Sequence, residues 1–127
     1  MENLMVKETK STPAIQFDAG SGILTISGES YPENSYEFYK PVINWIARFT
    51  ANNKGPIVLN CNISYLNTGS TKSMMDVFDL LEDRFQQGSD VSVQWHCDNE
   101  NDRAIETAEE FMEDVTFPFN IKPSDPN

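Results

Sequence analysis

The chain reads as a single α/β domain, a mixed β-sheet whose later strands run parallel, with helices packed against it. Three observations predict this. Apolar residues recur with a period of two in some segments and at helical spacing in others, and the two kinds alternate along the chain. Helices that fall between successive strands demand crossover connections. A length of 127 residues allows one hydrophobic core but not two.

Taken in order, residues 1–10 are expected to be loosely held, residues 11–122 to form the domain, and residues 123–127, with two prolines, to form a loose tail. Pro13 to Asp18 and Gly22 to Ser27 are two short strands flanking Asp18-Ala19-Gly20-Ser21-Gly22, a turn rich in residues that accept positive φ, so they form a hairpin. Asn34 to Asn52 is a helix with Phe38, Val42, Trp45, Ile46 and Phe49 on one side, and Asn34 with Glu37 is placed for a capping box. Pro41 falls inside it, so the helix is kinked there or starts later. Asn52-Asn53-Lys54-Gly55-Pro56 stops it.

Ile57 to Tyr65 is β-branched and reads as a buried strand leading into a helix from about Gly69 to Gln87, where Met74, Val77, Phe78, Leu81 and Phe85 make the apolar stripe. Gly88 suits a left-handed terminator. Val91, Val93 and Trp95 alternate with Ser92, Gln94 and His96 as a strand with one buried face. A third helix spans roughly Asn101 to Asp114, with Ile105, Ala108, Phe111, Met112 and Val115 inward and its glutamates mostly toward water. Phe117, Phe119 and Ile121 alternate around Pro118, which confines a last strand to an edge or a bulge.

Composition excludes several functions. Twenty acidic against nine basic residues give a formal charge of −11, so nucleic acid and anionic membranes are disfavoured partners, whereas a protein with a basic face would be attracted. The chain holds no apolar run long enough to cross a bilayer and does not begin like a secretory signal, so a cytoplasmic location is expected. Cys61 and Cys97 suggest reduced, inert thiols. His96, Cys97 and Asp98 are neighbours on a strand, where alternate side chains point to opposite faces, so neither a metal site nor a Cys-His pair is expected, and no cofactor is implied. Gly20-Ser21-Gly22 lacks the further glycine and the helix of a nucleotide loop. Asp76, Asp79 and Asp83 share a helix face; a solvated acidic face is one reading and a small metal-dependent enzyme using those carboxylates another.

The most informative stretch is Tyr65-Leu66-Asn67-Thr68-Gly69-Ser70-Thr71-Lys72-Ser73-Met74-Met75-Asp76, a run of hydroxyls where a strand ends and a helix begins. Thr68 falls near the N-cap, where unpaired N–H groups and the positive end of the helix dipole would receive an anion. Capping alone would also account for a threonine there. Among the aromatics, Tyr31, Tyr36 and Tyr39 cannot all be buried, and one or two are expected at a binding surface. Met74 is expected in the core and Met75 at the surface or its margin.

This segment resembles the phosphorylation loop of STAS-domain anti-anti-sigma factors, with Thr68 in place of the phosphorylated Ser and Asn67-Thr68-Gly69-Ser70 where that pattern has Asp-Ser-Ser-Gly. A wider resemblance is to the SiaC family of bacterial regulatory phosphoproteins. It runs through Ser11-Thr12-Pro13-Ala14-Ile15, Ser30-Tyr31-Pro32-Glu33-Asn34-Ser35-Tyr36-Glu37, Tyr65-Leu66-Asn67-Thr68, Met74-Met75-Asp76-Val77-Phe78-Asp79-Leu80-Leu81-Glu82, Ala108-Glu109-Glu110-Phe111 and Phe117-Pro118-Phe119, in that order. The resemblance implies a STAS-like fold and a non-enzymatic switch. A partner protein kinase would phosphorylate Thr68 and a PP2C-type phosphatase would reverse it. The unmodified form would bind and activate a diguanylate cyclase, raising cyclic-di-GMP and favouring biofilm or aggregation. The partner surface would comprise Tyr65, Asn67, Thr68, Gly69, Ser70, Thr71, Lys72, Met75, Asp76 and Asp79. An anti-anti-sigma factor capturing an anti-sigma kinase would use the same residue and fold.

Overall fold

Right-handed crossovers decide the architecture. A computed structural model describes residues 1–98 and 100–124, in the order β1 (Leu4–Val6), β2 (Ala14–Asp18), β3 (Ile23–Ser30), α1 (Ser35–Asn52), β4 (Ile57–Leu66), α2 (Thr68–Gln86), β5 (Val91–Asp98), α3 (Asp102–Glu113) and β6 (Phe119–Ser124). All six strands form one sheet in sequence order. β1–β2 and β2–β3 pair antiparallel, and the three pairs from β3 to β6 are parallel. Each parallel step moves the same way across the sheet, so right-handed connections put α1, α2 and α3 on one face.

Burial follows from this. In β4, Ile57, Leu59, Cys61 and Ile63 are buried beneath the helices, while Val58 and Asn60 are half-buried and Asn62 and Ser64 exposed on the other face. The β-branched run that reads as a buried strand is therefore buried on one side, as in a two-layer fold. Under α2 and α3 lies an aromatic cluster. The Phe78 ring centroid is 5.0 Å from Phe111, 5.6 Å from Phe119 and 6.3 Å from Trp95. Under α1, Trp45 stacks on Phe49 at 4.8 Å and meets Phe17 at 5.2 Å.

Several boundaries differ from those read in the sequence. The first ten residues include β1, whose register pairs Leu4 with Phe17 and Val6 with Ile15. The Trp45 indole N–H donates to the Glu2 carbonyl at 2.9 Å, and Asn3 Oδ1 accepts the Ala19 N–H at 2.9 Å. α1 starts at Ser35 and runs through Pro41, which is exposed, so its missing donor frees the Glu37 carbonyl on the solvent side. β6 is the edge strand that Pro118 requires; it includes Lys122 and Pro123, and residues 125–127 of the expected tail lie outside the described residues. α2 ends at Gln86 with Gln87 as its C-cap, and Gly88, at φ +103°, is the left-handed residue that follows.

A carboxylate ties the α3–β6 connection to α2. Glu82 accepts the Thr116 N–H at 2.7 Å and the Thr116 hydroxyl at 2.5 Å, and the Gln86 amide adds a third bond at 2.7 Å. Burial would push the Glu82 pKa up, but these donors outweigh it and hold the carboxyl below its ordinary value.

Candidate functional site

The loops after β3 and β4 leave the same end of the sheet, because those strands are parallel neighbours, and so the N-termini of α1 and α2 converge. The Asn67 N–H donates to the Ser30 carbonyl at 2.9 Å, and the Asn67 side-chain amide donates to the Pro32 carbonyl at 3.2 Å. Asn67 Oδ1 accepts the Ser70 N–H at 2.8 Å, which makes Asn67 the N-cap of α2 and Thr68 its first helical residue. The cap is thus the asparagine, one place before the threonine. One of the first-turn donors is already spent on it, leaving the N–H groups of Thr68 and Gly69 at the positive end of the helix.

Of the four hydroxyl residues between 68 and 73, Thr68 alone is exposed. Ser70 is fully buried and accepts from the Ser30 hydroxyl at 2.8 Å; Ser30 Oγ lies 2.6 Å from the Tyr39 hydroxyl, so three elements are joined by a chain of buried hydroxyls. Burial raises the Tyr39 pKa, while its hydrogen bonds to Ser30 and Ser70 pull the other way, and the phenol stays neutral. Thr71 donates back to the Asn67 carbonyl at 3.1 Å, and Ser73 is buried. Gly69 is where α1 touches α2: a Cβ built there would lie 2.6 Å from Ser35 Oγ and 2.9 Å from Ser35 Cβ.

Thr68, Lys72, Met75, Asp76 and Asp79 fall on one stripe of α2 at helical spacing, and all five are exposed. Tyr65, at the end of β4, is 54% exposed, its ring meets Tyr31 edge-on at 6.0 Å, and it lines a hollow with Asn101, Arg103 and Ala104 at the start of α3. The structure therefore brings Thr68, Lys72, Met75, Asp76 and Asp79 to one face of α2, with Gly69 exposed at its edge toward α1, and leaves Tyr65 on the α3 side. It withdraws Ser70 from that surface and leaves Asn67 and Thr71 half-buried, holding the turn in shape. Tyr39 is core, and Tyr36, 71% exposed, adds α1 to the same neighbourhood. The sequence expects one or two of Tyr31, Tyr36 and Tyr39 at a surface, but not the convergence of α1 on α2 or the chain of buried hydroxyls. A glycine in a first helical turn was the one available signal of close approach.

The other candidates do not assemble. His96 is half-buried on the open face of the sheet and Cys97 is buried on the opposite side. Burial pushes both thiols up, Cys61 by the larger amount, and both are free. Among the described residues, no three His, Cys, Asp or Glu side chains come together to hold a metal ion, and no helix is long and apolar enough to cross a membrane.

Comparison with known proteins agrees over nearly the whole chain. The family model described as SiaC family regulatory phosphoprotein matches residues 6–124. An uncharacterized protein of Pseudomonas aeruginosa is 50% identical over 125 residues, which is 98% of this chain and 99% of that one. The structure of SiaC of Pseudomonas aeruginosa superposes with a TM-score of 0.92 at 49% identity, covering 98% of this chain and all of that one. A third relative is SiaC in a crystal structure of the diguanylate cyclase SiaD in complex with its activator SiaC from Pseudomonas aeruginosa; it has a TM-score of 0.91 and 50% identity over 95% of this chain and 99% of that one.

Proposed function

Because the chain belongs to the SiaC family of regulatory phosphoproteins, we propose that it is a non-enzymatic, cytoplasmic switch controlled by phosphorylation of Thr68. In its unmodified form it binds and activates a diguanylate cyclase, raising cyclic-di-GMP and favouring biofilm or aggregation. A partner kinase adds the phosphate and a PP2C-type phosphatase removes it.

The observation that carries the cyclase reading is that a relative 50% identical over 95% of this chain is the activator in a complex with a diguanylate cyclase. The choice of Thr68 rests on its being the exposed hydroxyl of the α2 start while Ser70 and Ser73 are buried and Thr71 is bonded to the cap carbonyl. A kinase must seat the acceptor hydroxyl in its own active site, and a hydroxyl fixed in the protein interior offers nothing to seat.

The phosphate acts by charge. It adds about −1.5 to −2 to the stripe that holds Asp76 and Asp79, and burying it against a partner without matching cations costs several kcal/mol. At the first position of α2 it also meets the positive helix end, which favours it by about 0.3–1 kcal/mol. The helix is therefore kept and the docking surface spoiled.

Mapping the phosphate tests this. Chain taken from cells in which the kinase is active should carry a single phosphate, on Thr68, by intact mass and fragmentation. A phosphate on Ser70 or Thr71, or Thr68→Ala protein that is still modified and still switched, would show the site to be wrong.

A further inference from the structure

A cleft runs between α1 and α2, lined by Gly69, the residue after Thr68, and its charge is opposite to that of the molecule as a whole. Its walls carry Tyr36, Lys40 and Ile43 from α1 and Gly69, Lys72 and Asp76 from α2. Lys40 and Lys72 thus face one cleft from two helices, against one carboxylate, in a chain with a formal charge of −11. The lining is largely apolar: Ile43 packs partly into the core, and Tyr36 is 71% exposed, with the Lys40 ammonium 6.0 Å from its ring centroid. Lys72 stands four residues after Thr68 and four before Asp76. On a helix an anion four residues before a lysine is the better-placed partner, so Asp76 is the weaker competitor for Lys72 and a phosphate on Thr68 the stronger.

We propose that this cleft is the slot in which the unmodified protein receives an apolar side chain flanked by a carboxylate on its cyclase partner, with Lys40 and Lys72 pairing that carboxylate. A phosphate on Thr68 closes the slot by drawing the same two lysines to itself. Charge complementarity selects this occupant: a basic segment would meet two cations at the mouth, and a purely apolar one would leave them desolvated and unpaired. The switch then works by competition for cations as well as by added repulsion. The inference rests on the cyclase reading for its binding arm and on Thr68 as the phosphorylated residue for both arms.

Two measurements separate its failure from that of the reading it rests on. In the first, wild type, the Lys40→Gln/Lys72→Gln double variant, Thr68→Glu and the combined triple variant are titrated against the cyclase. The double variant should bind roughly tenfold or more weakly than wild type, and Thr68→Glu should add much less on that background than it does alone, since its target cations are gone. Wild-type affinity in the double variant, or losses that simply multiply, would overturn the proposal. Both lysines are exposed, so the variants should fold, which circular dichroism checks. The second measurement needs no cyclase. In a phosphorus NMR titration of the full chain carrying phosphothreonine at position 68, the second phosphate pKa, ordinarily about 6, should lie lower in wild type than in Lys72→Gln. Equal values would overturn the proposal even if the cyclase binds, and a lowered value would support it even if a different partner were found.

Discussion

Gly69 shows how a single residue sets this site. Alanine is the better helix former by about 1 kcal/mol, yet a Cβ at position 69 would collide with both heavy atoms of the Ser35 side chain. Gly69→Ala should therefore destabilise the domain by about 1–3 kcal/mol in urea unfolding, and Ser35→Gly on that background should recover part of the loss. The buried hydroxyls make a second, smaller contribution. Ser70→Ala removes the acceptor for Ser30 and should cost about 1 kcal/mol, measurable as a lowered denaturation midpoint with an unchanged slope. Family resemblance singled out Thr68 from a run of hydroxyls whose place at a strand-to-helix junction was legible in the sequence. The partition among Thr68, Ser70 and Thr71 was not, since it depends on Ser30 and Tyr39, which are distant in the chain.

Among the elements, α2 carries both the site and a latch to the far end of the sheet. Its cap is Asn67, so Asn67→Ala should cost about 0.5–2 kcal/mol and loosen the two turns it joins, visible as faster amide exchange from Thr68 to Thr71. The latch is Glu82 on Thr116. The Glu82 pKa is lower in the folded chain than in the unfolded one, so the ionised carboxylate contributes stability above the unfolded value, about 4.3, and that contribution is lost as pH falls through the folded value. Melting temperatures of wild type and Glu82→Gln should therefore differ most near pH 7 and converge as Glu82 is protonated. Helix and strand positions were readable from period alone. β1 was not, because Leu4-Met5-Val6 is too short to show a period and is held by Trp45 and by β2. α1 ran through Pro41 because an exposed proline loses a hydrogen bond that water can replace.

At the scale of the whole molecule, six strands added in sequence order give one sheet with its helices on one face, and that topology brings two helix N-termini to one spot. The core beneath depends on Phe78, which meets Trp95, Phe111 and Phe119; Phe78→Ala should cost about 3–5 kcal/mol and leave little of a small domain's stability in chemical denaturation. The mixed sheet followed from the alternation of periods, but the convergence of α1 on α2 needed the strand order, which no local pattern holds. The central claim is that a phosphate on Thr68 changes binding and not fold. Unmodified and Thr68-phosphorylated chains should be titrated side by side against the diguanylate cyclase, with circular dichroism and melting recorded for each form. Affinity should fall by roughly a hundredfold or more while the helical signal and melting temperature hardly move, whereas a melted helix or a large drop in melting temperature with affinity nearly unchanged would contradict the switch.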